Sequence, residues 1–575
     1  MNLTYFSWID YAFFGATILI SLLIGIYYGC FGTKQKTTEE YLHGGKQMRS
    51  FPVGMSLAAS YLSGITILGV PTEIYLYGTQ LAVCPITILL LIITIVYIYL
   101  PVYYKLQLPS SYEYLKIRFG PELRTFASLL YVLSTILHVP IVIYIPSLAL
   151  NQVTGIDVYI ISLLICSVCI FYTTLGGLKA VVLSDTIQFT LTIMTTLIVL
   201  VIGTYNSGGI INIWNNASDR GRIEFFNMNS NPTVRQTFWG VVIGMWMTFI
   251  GNLGVNPSSV QRFLSLPTYS AVKRAAVIFG LGTTFVKLAS CWIGLILFTV
   301  YMNCDPFLSG KISRIDQLLP YYLLDVGRLK GLPGLFVAGV CGTALSSMST
   351  SINTLSLTIY EDFLKSKLPS STSRGTTNLL LKGIVVVSGI LCLALIFLIE
   401  KLGGVLQMSL SFHSVTHGPL VGIISLGMLF PIANKQGALL GGIVSLIITG
   451  ILVFGAQVYI LMGKVQHTYK SLSTAHCDTN ITTPMWTSGA DPEKPPIIFQ
   501  ISFYFYTLIS LTITVIVGVL VGWWTRKKED PNVDRDLLSP VIYRFLSHGS
   551  TSAPQELSVY ESVETALTKL KTATE

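Results

Sequence analysis

Six hydroxyl side chains crowd nine positions at Thr343, Ser346, Ser347, Ser349, Thr350 and Ser351, inside an otherwise apolar stretch. In helical spacing Thr343, Ser346, Ser347 and Thr350 stand at i, i+3, i+4 and i+7 and share one face. Hydroxyl oxygens are hard, neutral ligands, so such a face suits Na⁺ without burying a further charge. Back-bonding of Ser and Thr to their own helix carbonyls would account for one or two of the six. A second apolar stretch carries Ser56, Ser60, Ser63, Gly64 and Thr66, then Gly69 and Pro71. Unwinding between Ser60 and Gly64 would free carbonyls at the bilayer midplane, which a desolvated cation needs; a small-residue packing face is the competing reading. A third reads Gly251-Asn252-Leu-Gly254-Val-Asn256-Pro257, which should bend or break a helix.

Ionisable residues inside apolar spans are functional candidates. Asp185, following Leu175-Gly-Gly-Leu-Lys-Ala180, is the main one, expected to attract or release the cation on the cytoplasmic side. Pairing with Lys179 or with a helix N-terminus is the alternative. Glu73, Asp10, His138, His413 and His417 are less telling, since span ends accept such residues. For the histidines, packing or a hydrogen bond is favoured over proton coupling.

The elements that must position these residues follow from composition. The 575 residues carry 36 Lys and Arg against 27 Asp and Glu, a net charge of +9, yet only 11% are charged and 52% are hydrophobic. A soluble domain would be about 25% charged, so the chain is read as an all-α integral membrane protein. Stretches able to cross about 30 Å of hydrocarbon fall at 8–30, 52–78, 81–104, 123–150, 155–174, 180–205, 236–263, 272–303, 332–360, 378–399, 403–430, 437–462 and 498–524, about 13 transmembrane helices. The first is too long, and too poor in basic flank and cleavage site, for a removable signal.

Lys and Arg concentrate in alternate short loops, among them Lys34, Lys36, Lys46, Arg49, Lys105, Lys116, Arg118, Arg124, Lys179, Arg262, Lys273, Arg274, Lys435 and Arg526. The positive-inside rule makes that side cytoplasmic. An odd number of spans then places the N-terminus outside and the C-terminus inside. Glycosylation sequons at Asn2, Asn216 and Asn480 fall on the outer face. Of nine cysteines, Cys30, Cys166, Cys169, Cys291 and Cys392 lie in apolar runs and read as inert, whereas Cys304 and Cys477 lie in outer loops. A disulfide between those two is left open, because sequence does not show their proximity.

Residues 1–525 form the transmembrane transporter domain, and 526–575 read as a polar, flexible cytoplasmic tail, with Leu557 to Leu570 a solvated stretch in preference to an amphipathic helix. The basic residues form no stripe interleaved with aromatics, so nucleic acid is not a partner. There is no phosphate-binding Gly-x-x-x-x-Gly-Lys loop and no nucleophile with a partnered base, so the chain is not read as an enzyme and its work must draw on a stored gradient. Spans two and seven, both interrupted, are five apart. Spans two to six (about 52–205) and seven to eleven (about 236–430) would then be five-helix units of opposite topology, a 5+5 inverted-repeat core with discontinuous helices at the binding site.

These residues resemble the sodium:solute symporter family. Leu175-Gly-Gly-Leu-Lys-Ala-Val-Val-Leu-Ser-Asp185 is similar to its Gly-Gly signature, Leu345-Ser-Ser-Met-Ser-Thr-Ser-Ile-Asn353 to its sodium-site helix, Val260-Gln-Arg262 to the end of its seventh helix, and Gly418-Pro-Leu-Val-Gly with Met428-Leu-Phe-Pro431 to its eleventh. Ser50-Phe-Pro-Val-Gly-Met-Ser-Leu and Gly69-Val-Pro-Thr-Glu-Ile-Tyr75 resemble the branch of monocarboxylate, multivitamin and iodide carriers. The resemblance covers about residues 5 to 525. It implies a sodium site on the carbonyls of Ala59, Leu62 and Thr343 and the hydroxyls of Ser346 and Ser347, with Asp185 on the cation path. It places the solute near Ser63, Thr66, Phe249, Asn252 and Leu253, Thr66 being similar to monocarboxylate carriers. Leu76 departs from the branch's usual Arg and Pro257 from a common Gln, while Phe249 and Leu253 replace aromatic residues of the iodide carrier.

The expectation is Na⁺-coupled symport of a small organic anion across the plasma membrane by alternating access. Na⁺ is the coupling ion, no organic cofactor is needed, and beyond sodium, solute and the lipid bilayer no obligate protein partner is implied. The carboxylate would be met by the positive ends of half-helices at the two breaks. Carriage of iodide or another small solute, or a non-transporting Na⁺-gated sensor or conductance, stays open.

Overall fold

The computed structural model describes residues 6–27, 48–108, 110–325, 331–369, 373–399, 405–465, 469–477, 495–525 and 533–546. Regular structure among them is helical throughout. The helices used below are α1 (Trp8–Ile26), α2 (Ser50–Tyr61), α3 (Val70–Tyr77), α4 (Cys84–Thr94), α5 (Pro121–Thr154), α6 (Val158–Asn206), α7 (Met245–Ile250), α8 (Pro257–Leu264), α9 (Tyr269–Tyr301), α10 (Leu332–Ile359), α11 (Arg374–Ile399), α12 (Val405–Leu429), α13 (Lys435–Leu461) and α14 (Tyr506–Thr525). Among the described residues nine helices are long and apolar enough to cross a bilayer. The bent pair formed by α2 with the segment Ile65–Tyr77 makes a tenth, and Trp8–Ile24, Val158–Phe171 and Gly240–Val255 are shorter apolar helices.

Helix α6 runs unbroken for 49 residues, about 74 Å at 1.5 Å per residue and more than twice the hydrocarbon thickness. Its two apolar stretches, Val158–Phe171 and Val182–Asn206, match the two spans expected at 155–174 and 180–205. The side chains of the linking Leu175–Ala180 segment, Lys179 included, lie outside the described residues.

The second span is interrupted where its small polar residues cluster. Helix α2 stops at Tyr61, Leu62 is extended (φ −91°, ψ 96°), and the chain resumes as a π-helical turn, Ile65–Gly69, before α3. The two halves are bent by 59°. In the seventh span a second π-helical turn, Gly251–Val255, follows α7; Asn256 is then extended and α8 begins at Pro257. Pro257 departs from the branch at a position that suits proline: N1 needs no N–H and wants φ near −65°. The Asn256 side chain caps the new helix by accepting from Ser258 N–H at 3.0 Å.

Both π turns pack against α12, and α10 is held by α6, α5, α1 and α2, so the two interruptions and the hydroxyl-rich helix meet at the centre of the bundle. Asp10 of α1 acts here: its Oδ1 accepts from Gly334 N–H at 2.8 Å, capping the start of α10. Helices α13 and α14 pair with each other and lean on α12 from outside.

The loops carry their own ties. Cys304 and Cys477 are joined in a disulfide, Cα to Cα 5.1 Å. Asn216 is half-buried inside the helix Gly209–Asp219; Asn2, Asn480 and Cys30 lie outside the described residues. The tail does not wholly follow expectation. Residues 533–546 form two short 3-10 turns docked on the bundle, with Ser539 N–H donating to Met428 O (2.9 Å), Tyr114 Oη to Leu537 O (3.0 Å) and Lys105 paired with Asp536 (2.5 Å). The dipeptide Leu537-Leu538, buried against the bundle, is the apolar anchor that a reading by average polarity overlooks. The remainder of the tail, Leu557 to Leu570 included, lies outside the described residues.

Candidate functional site

The break after Tyr61 leaves a hydrogen-bonding deficit. Thr66 N–H turns back to Ser63 O (2.9 Å) and Leu62 N–H to Ala58 O (2.8 Å), and among the described residues no backbone N–H is found on the carbonyls of Ala59 or Leu62. Facing this gap, α10 presents Thr343, Ser346 and Ser347, all buried. Ser347 Oγ contacts Ser60 O (3.2 Å) and Thr343 O (3.0 Å), and Ser346 Oγ lies 3.4 Å from Ser60 Oγ. The carbonyls of Ala59, Leu62 and Thr343 and the hydroxyls of Ser346 and Ser347 are all neutral oxygen groups, offered by the two elements that meet here. Their chemistry fits a small hard cation. Back-bonding is present too, at Thr343 (to Val340 O, 2.8 Å), Ser347 (to Thr343 O, 3.0 Å) and Ser349 (to Ser346 O, 3.0 Å). Ser346, Ser347 and Thr350 are the hydroxyls that reach across to neighbours.

Asp185 lies in the interior of α6, far from either end, so the helix-terminus reading does not hold. Its Oδ2 accepts from Ser56 Oγ at 2.9 Å and Ser60 Oγ at 3.5 Å and lies 3.6 Å from the Arg262 guanidinium. Arg262 is a correction. Grouped by sequence with cytoplasmic loop cations, it is instead 1% exposed, carried inward by α8. It donates to Ser56 O (2.8 Å), Ser60 Oγ (2.9 Å) and Thr350 Oγ1 (2.5 Å). One guanidinium thus ties the helix before the first break, the helix after the second break and the hydroxyl face of α10 into a single buried network.

On α9 stands Lys287, buried and missed by the sequence reading. Its ammonium lies 4.7 Å from the centre of the Phe249 ring and 5.7 Å from that of Tyr61. Those rings meet edge to face at 5.0 Å, and Phe279 closes on Tyr61 at 5.3 Å. Among the described residues, the ionisable groups that bear on the ammonium are the thiols of Cys84 and Cys291. The signal was available: a single lysine in the middle of the apolar run 272–303. Of the expected solute residues, Phe249 joins this aromatic and cationic pocket. Ser63 and Thr66 line the first break, buried, Ser63 Oγ accepting from Ile65 N–H at 3.3 Å. Asn252 spends its carbonyl on Ser259 Oγ (2.9 Å), and Leu253 is packed away inside.

Glu73 stands on α3, beyond the first break. It pairs with Arg235 and accepts from Gln236 Nε2 (2.6 Å), while Arg235 also donates to Gln407 Oε1 (2.7 Å) and lies over the rings of Tyr77 (4.3 Å) and Phe503 (4.9 Å). Beside it the buried Arg222 binds the carbonyls of Tyr75, Leu76 (2.9 Å) and Ser471 (2.8 Å). At Leu76, where the branch usually has Arg, the backbone thus receives a guanidinium from another element.

Comparison with known proteins bears on this geometry. The sequence profile described as the sodium:solute symporter family matches residues 41–445. Human sodium-coupled monocarboxylate transporter 2 is 35% identical over 551 residues, covering 95% of this chain and 88% of that protein. Human sodium-coupled monocarboxylate transporter 1 is 36% identical over 534 residues, covering 90% and 87%. A putative sodium-dependent multivitamin transporter of Drosophila melanogaster is 35% identical over 526 residues, covering 89% and 86%. Among solved structures, the substrate-bound outward-open state of a Na⁺-coupled sialic acid symporter superposes with a TM-score of 0.73 at 26% identity, over 90% of this chain and 98% of that one. The interrupted helices and these matches agree: the chain is a many-span membrane transporter, not an enzyme, that uses Na⁺ as its coupling ion, and it belongs to the sodium:solute symporter family.

Proposed function

We propose that the chain carries a small monocarboxylate inward with Na⁺ across the plasma membrane. The names of the human and fly relatives support this class of solute, and Lys287 is the observation in this chain that carries it. A buried ammonium is costly, and this one has no counter-ion among the described residues and faces two aromatic rings at one end of the expected solute region. An arriving carboxylate supplies the missing charge, and Tyr61, Phe249 and Phe279 enclose its short apolar part. The half-helix ends at the breaks, proposed from sequence as the carboxylate's partners, then assist a side-chain cation.

In this reading Na⁺ sits among the carbonyls of Ala59, Leu62 and Thr343 and the hydroxyls of Ser346 and Ser347. It draws the broken second span against α10 and so shapes the pocket beside Thr66 and Ser63. Coupling requires that Na⁺ bind the solute-competent state better than the other. The wider architecture is thirteen spans with a 5+5 inverted-repeat core over about 52–205 and 236–430, the N-terminus outside and the C-terminal segment 526–575 inside. The disulfide between Cys304 and Cys477 supports placing those two loops on the oxidising side.

The test is uptake of labelled lactate, pyruvate, butyrate, nicotinate, biotin, iodide and glucose into expressing cells, in Na⁺ and in choline, for wild type and Lys287→Met. Na⁺-dependent accumulation of a carboxylate is expected, with half-saturation raised at least about tenfold in the variant, the loss of about 1.4 kcal/mol. Accumulation of glucose alone, or an unchanged carboxylate affinity in Lys287→Met, overturns the reading.

A further inference from the structure

Residues 533–546 sit at the end of the bundle opposite the Glu73–Arg235 pair. Helix α12 shows the separation: Gln407 Oε1 accepts from Arg235 near its start (2.7 Å), and Met428 O accepts from Ser539 N–H at its end (2.9 Å). From 407 to 428 the helix rises about 32 Å at 1.5 Å per residue. The segment holds three parts of the chain at once. Asp536 pairs with Lys105 (2.5 Å) at the end of the span Thr79–Leu106, Leu537 O accepts from Tyr114 Oη (3.0 Å) on the helix Ser111–Phe119, and Ser539 is bonded to α12. Its turns Arg535–Leu537 and Pro540–Phe545 pack on Leu100–Leu106 and Ile95–Tyr99 of that same span.

The helix Ser111–Phe119 carries these ties to the second break. Ser111 Oγ donates to the carbonyl of Val255 (2.7 Å), the last residue of the π turn, and the helix packs against α8 just beyond it. Towards its other end Arg118 donates to Gly427 O (3.3 Å) and Ala433 O (3.0 Å), around the end of α12. One short helix thus joins Leu537 to the broken span by a hydrogen bond at each side. The docking itself is modest. Leu537 and Leu538 are buried, but the ion pair is half-exposed on both sides, where such pairs contribute little. Fixing an irregular segment also costs backbone entropy at each residue. That is the strength a reversible contact needs.

We propose that residues 533–546 form a latch: docked, they hold the helix Ser111–Phe119 over the second break, and they must leave each time the bundle opens at that end. Under the inverted-repeat architecture proposed above, the span Thr79–Leu106 lies in one five-helix unit and α12 in the other, so the docked segment bridges both. Because it binds elements that separate on opening, it favours the closed state of that end. The inference rests on alternating access and on that architecture. It depends neither on the identity of the solute nor on which way the chain faces.

The test reads opening directly. Val255→Cys, at a position 0% exposed and bonded to the helix Ser111–Phe119, is the reporter in the purified full-length chain. Its labelling by a hydrophilic maleimide is measured against the same chain without the added cysteine. Placing Leu537→Asp and Leu538→Asp behind the reporter is expected to speed labelling about tenfold, and the conservative Tyr114→Phe about two- to threefold, as the open population grows. A second measurement works in the opposite direction on protein that has already folded. Lys105→Cys with Asp536→Cys, bridged by a short bismaleimide, is expected to lose at least about nine-tenths of Na⁺-driven lactate uptake, while each single cysteine treated alike keeps it. Equal labelling rates in all three reporter chains, or a bridged protein that transports as fast as the unbridged one, overturns the latch. Should the unbridged chain take up no lactate, the carboxylate reading falls and the labelling rates alone decide the latch.

Discussion

Asp185 and Arg262 are each 1% exposed, and neither charge is stable alone at that depth. Asp185→Asn leaves the guanidinium bonded to Ser56 O, Ser60 Oγ and Thr350 Oγ1 but uncompensated, and breaking a buried pair from one side costs about 3–5 kcal/mol. The expected result is slowed turnover with solute affinity largely kept, and a lowered melting temperature of the purified protein that Asp185→Asn with Arg262→Met partly restores. Normal turnover in the single variant would leave Asp185 a structural charge. In the proposed sodium site Ser346 and Ser347 act through oxygen alone. Replacing either with Ala would then remove one ligand of a small cation and should raise the Na⁺ concentration for half-maximal uptake by about tenfold, near 1.4 kcal/mol. Na⁺ dependence unchanged in both would remove the site from this helix.

At the scale of elements, α1 and α10 meet where only a glycine fits. A Cβ on Gly334 would stand 2.4 Å from the Cα of Asp10, the residue whose carboxylate caps α10. Gly334→Ala should therefore push α1 away and cost about 1–3 kcal/mol through overpacking, whereas Asp10→Ala should cost about 1 kcal/mol through the lost cap. Thermal unfolding of the two purified variants tests the order, and an equal or reversed ranking would contradict the packing seen here. The same scale explains what the sequence could and could not tell. The interruption at Leu62–Gly64 was legible because Ser, Gly and Pro weaken a helix through local chemistry, and the second break for the same reason. Arg262 was not: its sequence neighbourhood looks like a loop end, and only the turn at Asn256-Pro257, by redirecting α8, carries it into the core. Lys287 was legible in principle, as one lysine in an apolar run. Its meaning was not, because the rings it faces come from two other spans.

For the molecule as a whole, the residues proposed to line the solute site are buried: Thr66 is 8% exposed, Ser63 6%, Lys287 5% and Phe249 4%. Transport therefore requires an opening at each end in turn, and the described structure shows what fastens one of them. Glu73 stands on α3, the half of the second span beyond the break, and its partner Arg235 comes from the loop before the seventh span, so the ion pair clamps the two interrupted spans together. Tyr75, two residues on, hydrogen-bonds Asp305 beside the Cys304–Cys477 disulfide, which places this clamp on the face we read as extracellular. Releasing a buried pair is costly unless both charges become hydrated together, so the clamp sets how rarely the pocket opens outward. Glu73→Gln removes the charge while keeping a side chain that Gln236 and Arg235 can still bond, and should shift the population toward the open state. With Thr66→Cys as the reporter, a membrane-impermeant thiol reagent applied outside in Na⁺ should label the Glu73→Gln background several-fold faster than the same cysteine alone. Equal labelling rates would show that the pair is not the closure, and faster labelling from the cytoplasmic side would invert the orientation proposed for the whole chain.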